Sequence, residues 1–222
     1  MLRTNRLTPF LLGYRLYVAV FFLFLAAPLV AAAAFAFNDS LFPSLPWQGF
    51  TLDWFFNPTE PKRGMFYDRR LLSGLYYSFV IASCVAVLSV AFGTTNAFLF
   101  VRGDFPAKNF FYILMVVPLV IPGVILGISI LVLASDTANA LEGALGVELS
   151  FLRPGLFLVV LGQFSFITTI TSLVITARLK KFDGALEEAA LNLGASRLRV
   201  LTTITLPFLR PAMIASGIVA FL

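Results

Sequence analysis

The residues best placed to do chemistry lie between Arg178 and Pro207, in the stretch RLKKFDGALEEAALNLGASRLRVLTTITLP. Leu186, Ala189, Ala190 and Leu193 recur at i, i+3, i+4 and i+7 and make one apolar helix face, with Glu187, Glu188 and Asn192 on the other. Gly194 follows where a left-handed helix stop favours a residue without a Cβ. Ser196 stands as the N-cap of a second helix bearing Leu198, Leu201 and Ile204, which Pro207 is expected to end. The result is expected to be a helix-turn-helix lying on the inner membrane face, too amphipathic to be a mere connector. It could also rest on lipid headgroups. DNA binding is the weaker option, because apolar spans on both sides hold the segment at a membrane.

Groups for covalent or metal chemistry are missing. The chain has no histidine, which removes a Ser–His dyad or a His-ligated metal. No lysine follows a glycine, so there is no G-x-x-x-x-G-K-[ST] phosphate loop. The single cysteine, Cys84, has no partner for an intrachain disulfide and reads as a small packing residue within an apolar span.

The elements that must position this stretch are membrane spans. Of the residues, 59% are hydrophobic and 12% charged, which is membrane-protein usage. Residues 16–37, 71–101, 110–135 and 154–177 contain no Asp, Glu, Lys or Arg, and each exceeds the roughly 20 apolar residues that cross a bilayer. A fifth span, 208–222, is expected to be incomplete, so the chain reads as C-terminally truncated. The first span resembles a signal peptide, but its apolar region is longer than an h-region of about 7 to 15 residues and reads as an uncleaved helix.

Net charge is +5, and topology accounts for it better than nucleic acid does. With the N-terminus inside, Arg3, Arg6, Arg15, Arg102, Lys108, Arg178, Lys180, Lys181, Arg197, Arg199 and Arg210 are cytoplasmic, eleven of the 16 basic residues. Lys62, Arg63, Arg69, Arg70 and Arg153 remain outside, and residues 136–152 carry Asp136, Glu142 and Glu148 as an outer loop. The Arg102-Gly103-Asp104 tripeptide then lies on the inner side, and its likeness to an adhesion signal is coincidental. The outer segment 38–70, with Trp47, Phe50, Trp54, Phe55 and Phe56, is an interfacial anchor or a docking surface for an external partner.

Pro118 and Pro122 interrupt the third span, and Gly123 and Gly127 stand four apart, as in small-xxx-small helix packing or in a broken helix lining a pathway. The fourth span is rich in neutral polar groups, Gln163, Ser165, Thr168, Thr169, Thr171, Ser172 and Thr176. Most hydroxyls are expected to bond to their own helix, whereas the Gln163 amide needs partners across helices or in a polar pathway. Ser129, Gln163 and Thr168 are the candidate pathway residues. A secondary carrier usually holds ionisable groups within its spans, and the four complete spans have none, so transport driven by a separate engine is favoured. A carrier and a purely structural membrane scaffold stay as alternatives.

Glu188-Ala189-Ala190, three residues, Gly194, nine residues, Ile204, one residue and Leu206-Pro207 resemble the EAA loop of type I ABC importer permeases at every defined position. The resemblance implies an all-α, multi-span integral membrane permease of the MetI-like fold: one domain over 1–222, with 178–207 as cytoplasmic coupling loop. In that family the loop inserts into a groove of the cytoplasmic ATPase, so Glu188, Ala189, Ala190, Gly194, Ile204, Leu206 and Pro207 are the expected coupling residues. Phe37-Asn38-Asp39-Ser40, Trp47-Gln48-Gly49-Phe50-Thr51, Gly127-Ile128-Ser129 and the segment 178–183 are similar to the PotC-like spermidine/putrescine permeases. That likeness implies a polyamine substrate, with another small solute such as an opine as the alternative. It also implies a bacterial inner membrane location, an ABC ATPase dimer that binds the ATP and Mg, a second permease subunit, an external substrate-binding protein and surrounding lipid. No cofactor in this chain, no enzymatic activity of its own and no nucleic acid are expected.

Overall fold

A computed structural model describes residues 9–42, 45–146 and 148–222. Arg3 and Arg6 of the inner basic set lie outside them. Contacts divide the chain into two compact units, Met1–Leu75 and Tyr76–Leu222. The described residues are almost entirely helical, with no strand beyond an isolated bridge between Asn38 and Phe50.

In the first unit, α1 (Pro9–Phe35) is apolar on every side beyond Arg15 and has no buried residue. The chain after it closes into a small clasp. Asn38 is 1% exposed, its Oδ1 accepts the Gln48 amide at 2.9 Å, and its carbonyl accepts the Trp54 indole N–H at 3.0 Å. Asp39 and Thr51 donate their amides to the Gly49 and Phe37 carbonyls, both at 2.9 Å, while Phe37 stacks on Phe50 and touches Phe55. Gly49 has φ +139°, which L side chains rarely adopt. Lys62 and Asp39 form an ion pair, and a short helix, α2 (Asp53–Phe56), carries Trp54 into the clasp. The clasp therefore consists of the FNDS and WQGFT segments packed on each other.

The second unit is a helical assembly in which α6 (Leu156–Leu179) is the central element. It packs on α3 (Arg69–Arg102), α4 (Lys108–Val120), α5 (Gly123–Leu145) and α9 (Leu206–Phe221). The apolar run 110–135 is two helices, not one. Ile121 takes φ −80°, ψ 129°, the extended conformation favoured before a proline, and Pro122 has no N–H to continue the ladder. Helix α5 then continues to Leu145, through Asp136 and Glu142, which were expected in an outer loop. Pro118 is accommodated inside α4. Among the described residues, the helices long and apolar enough to cross a membrane are Pro9–Phe35, Arg69–Arg102, Gly123–Leu145, Leu156–Leu179 and Arg197–Phe221.

Close packing falls on α3, not at Gly123 or Gly127. Val85, Ser89, Gly93 and Ala97 recur every four residues and are buried. A Cβ on Gly93 would lie 2.7 Å from Thr171 Cγ2, whereas one on Gly123 or Gly127 would meet nothing within 4 Å. Small residues permit this approach, which is how helices pack where lipid is as apolar as leucine. Ser89 and Thr168 share a hydrogen bond at 3.1 Å, and Asn96 Nδ2 donates to Ser172 Oγ at 3.1 Å. Ser165, Thr171 and Ser172 bond back to carbonyls of their own helix, while Thr169 Oγ1 donates to the Met115 carbonyl of α4 at 2.7 Å. Cys84 is exposed and is not a packing residue within this chain.

Candidate docking loop and cavity

After α6 the chain forms α7 (Ala185–Asn192) and α8 (Arg197–Val200). The Asp183 carboxylate accepts the Ala185 amide at 3.0 Å in an Asx turn just ahead of α7. Its end is a Schellman stop: Gly194 donates to the Leu191 carbonyl at 2.9 Å and Ala195 to that of Ala190 at 3.0 Å. Gly194 has φ +87°, which explains glycine there. Ser196 caps α8, accepting the Arg199 amide at 3.3 Å.

Pro207 does not end the second helix. The chain passes from α8 through a π turn, Leu201–Thr205, in which Leu206 donates to the Leu201 carbonyl, and runs on as α9. The shift in register absorbs the missing N–H of Pro207, which sits in the first turn of α9. Ile204 lies in the π turn and Leu206 and Pro207 open α9, so these candidate residues join the loop to the helix body.

The apolar face of α7 turns away from the rest of the chain: Leu186 is 54% exposed, Leu193 89%, and Leu198 of α8 71%. Glu188 and Ala189 are exposed on the same elements, and Ala190 is half-buried. Glu187, expected on a solvated polar face, points inward. Its Oε1 lies 2.9 Å from Arg102 Nη2 at the end of α3 and accepts the hydroxyl of Thr205. The guanidinium of Arg102 stands over the rings of Phe98 and Phe182. Arg178 lies over Phe208, 4.0 Å from the ring centroid, and donates to the Phe208 carbonyl at 3.3 Å. Beneath this layer sits a core of Ala97, Ile175, Leu179 and Leu209. Periodicity alone could not separate Glu187 from Glu188, since both lie off the apolar stripe. The available signal was Arg102 at a helix end. Gly103 has its own structural cause, because a Cβ there would fall 2.5 Å from the Leu99 carbonyl oxygen.

A cavity of ≈ 890 Å³ opens between the first halves of α3, α5 and α6 and the end of α9. Its walls include Ser78, Gly123, Gly127, Gly162, Gln163, Phe166 and Phe221, with no charged side chain. Gln163 is thus in the cavity wall. Ser129 is exposed and lies outside that wall, and Thr168 is 8% exposed and tied to Ser89. The three candidate pathway residues are not brought together. Among the described residues no group of three His, Cys, Asp or Glu could hold a metal.

No family model matches the chain. The putrescine transport system permease protein PotI of Escherichia coli K12 is 34% identical over 201 residues, 90% of this chain and 66% of PotI. The spermidine/putrescine transport system permease protein PotC of the same strain is 27% identical over 205 residues, 92% of this chain and 70% of PotC. A putative ferric transport system permease protein, FbpB 1, of Haemophilus influenzae is 27% identical over 191 residues, 83% of this chain and 28% of that protein. The chain therefore spans 66% of the length of PotI and 70% of that of PotC.

Proposed function

We propose, from the premise that this chain is a homologue of the polyamine-transport permeases PotI and PotC, that it is a permease subunit of an ATP-driven importer for polyamines. The observation that carries the coupling role is the outward apolar face of Leu186, Leu193 and Leu198 beside Glu188, on a loop fixed by its own helix stop. A cytoplasmic ATPase dimer would receive this face and bind the ATP and Mg. A second permease subunit would complete the pathway, and an external binding protein would deliver substrate at the clasp. The location is a bacterial inner membrane with the N-terminus cytoplasmic.

The cavity fits a cation. It offers the Gln163 amide, the Ser78 hydroxyl and the aromatic rings of Phe166 and Phe221 without any cationic side chain. Cation–π attraction of about 0.5 to 2 kcal/mol smooths passage of an ammonium but selects weakly, so capture specificity belongs to the binding protein. Similarity to FbpB 1 supports a second reading, a permease for another small solute. The test is reconstitution of the full-length subunit with its partner permease, ATPase and binding protein, followed by uptake of labelled spermidine and putrescine against a sugar and an amino acid. ATP-dependent polyamine uptake is expected. Uptake of the sugar or amino acid alone removes the substrate assignment, and failure to co-purify with any ATPase removes the coupling role.

A further inference from the structure

Glu187 adjoins the exposed docking face but belongs to a different set of contacts. One carboxylate oxygen receives the Arg102 guanidinium from the last turn of α3 and the Thr205 hydroxyl from the π turn that leads into α9. Thr205 is fully buried and Arg102 is held over Phe98 and Phe182, so both partners of Glu187 are fixed in place. Arg102 also complements the negative C-terminal end of α3. Beside the ion pair opens a groove of ≈ 370 Å³, walled by Arg102 and Glu187 themselves and by Phe98, Leu191, Arg197 and Leu201. Helix α7 therefore has open space beside its contact with α3, and the Glu187–Arg102 pair ties the two helices at the edge of that groove.

Resting on the docking role proposed above, we propose that Glu187 is a positioning residue. By holding α7 to α3 and α9 at once, it carries a displacement of the docked loop into both helices, rather than itself touching the ATPase. A π turn suits the moving end of such a linkage, because its register is a local irregularity that such turns place at functional sites. A contact residue and a linking residue differ in what their loss does. Losing a contact weakens association, whereas losing a link leaves association intact and wastes hydrolysis.

The test uses the complete reconstituted complex with Glu187→Gln, Arg102→Gln and the double variant, reading ATPase co-purification, hydrolysis and solute transported per ATP. Gln at 187 keeps an acceptor for Thr205 and loses only the charge pair. Each single variant should retain the ATPase and lower solute per ATP by about tenfold, an ordinary coupling magnitude. The double variant should be no worse than either single by more than about twofold, because both remove one link. Reversing the pair, Arg102→Glu with Glu187→Arg, should recover part of the loss. Independent, multiplying effects overturn the proposal, as does normal stoichiometry in both singles. Loss of ATPase co-purification on Glu187→Gln alone also overturns it, because Glu187 would then be a contact. Glu188→Lys in the same series separates the premises: if it too leaves docking and transport unchanged, the docking reading fails instead.

Discussion

The amide of Ala195 donates to the carbonyl of Ala190 at 3.0 Å, closing the chain around Gly194. This contact gives the EAA-x₃-G spacing a physical cause. A Schellman stop bonds the residue after the left-handed position to a carbonyl five residues earlier, and the left-handed position itself excludes most side chains. Placing Gly194 four residues after Ala190 thus turns the chain at the end of α7 and sets Ser196 to cap α8. The apolar face and its orientation are set by the same few backbone bonds.

Gly194→Ala should therefore strain the stop by about 1 kcal/mol, and Gly194→Pro should remove it, since proline fixes φ near −65°. Both full-length variants should insert into the membrane at normal levels. ATPase co-purification should fall for Ala and be lost for Pro. Equal co-purification by Gly194→Pro and the wild type would show that the turn does not shape the docking face.

Glu188→Lys reverses a charge on the exposed side of α7 while leaving the Glu187 contacts in place. The expected outcome is a complex that assembles less well, with hydrolysis and uptake falling together. Transport at the wild-type rate would remove Glu188 from the docking surface.

Gly93 and Gly127 make a matched pair, because both stand on long apolar helices and only Gly93 is in close contact. Gly93→Val should overpack the α3–α6 contact at about 1 to 3 kcal/mol and lower the yield of folded subunit in detergent, while Gly127→Ala should not. Equal yields would place the tight crossing elsewhere.

The spans and the docking loop were legible because apolar length and a 3.6-residue period report directly on helices. The Gly194 stop and the Ser196 cap were legible because each rests on one residue type at one position. Three features escaped. Pro118 and Pro122 were both expected to interrupt the third span, and only Pro122 does so, because Pro118 stays inside α4, a difference set by context and not by composition. The close approach fell on Ser89, Gly93 and Ala97, a small-residue stripe as visible in the sequence as Gly123 and Gly127, because α6 offers its hydroxyls there. Pro207 was absorbed by a π turn, which has no sequence signature.

The side of the membrane that carries the loop follows from counting crossings. Helix α4 has 13 residues, about 20 Å at 1.5 Å per residue, too short for a hydrocarbon core of about 30 Å. With α4 and α5 as one crossing and the N-terminus inside as proposed, the loop would lie on the cytoplasmic side. Leu193→Cys in a Cys84→Ser background should stay unlabelled by an impermeant thiol reagent added to intact cells and react after lysis. Labelling in intact cells would invert the topology.

The clasp of the first unit makes the last prediction. Asn38 is almost wholly buried, and its side chain accepts the Gln48 amide while its backbone carbonyl accepts the Trp54 indole. Asn38→Ala removes the first bond and keeps the second, leaving a part-buried amide without that acceptor, a loss of about 1 to 3 kcal/mol. The FNDS and WQGFT segments should then separate more often, and Lys62, held by Asp39 in the closed clasp, should be released with them. In the detergent-solubilised full-length chain, trypsin cleavage after Lys62 or Arg63 should accelerate by about tenfold, because proteolysis follows the population of the open form. Thr51→Val is the control: among the described residues Thr51 Oγ1 accepts the Asp53 amide at the start of α2 and makes no bond across the clasp, so cleavage should change much less. Unchanged cleavage in Asn38→Ala would mean that the stacked rings of Phe37 and Phe50 hold the clasp without the asparagine.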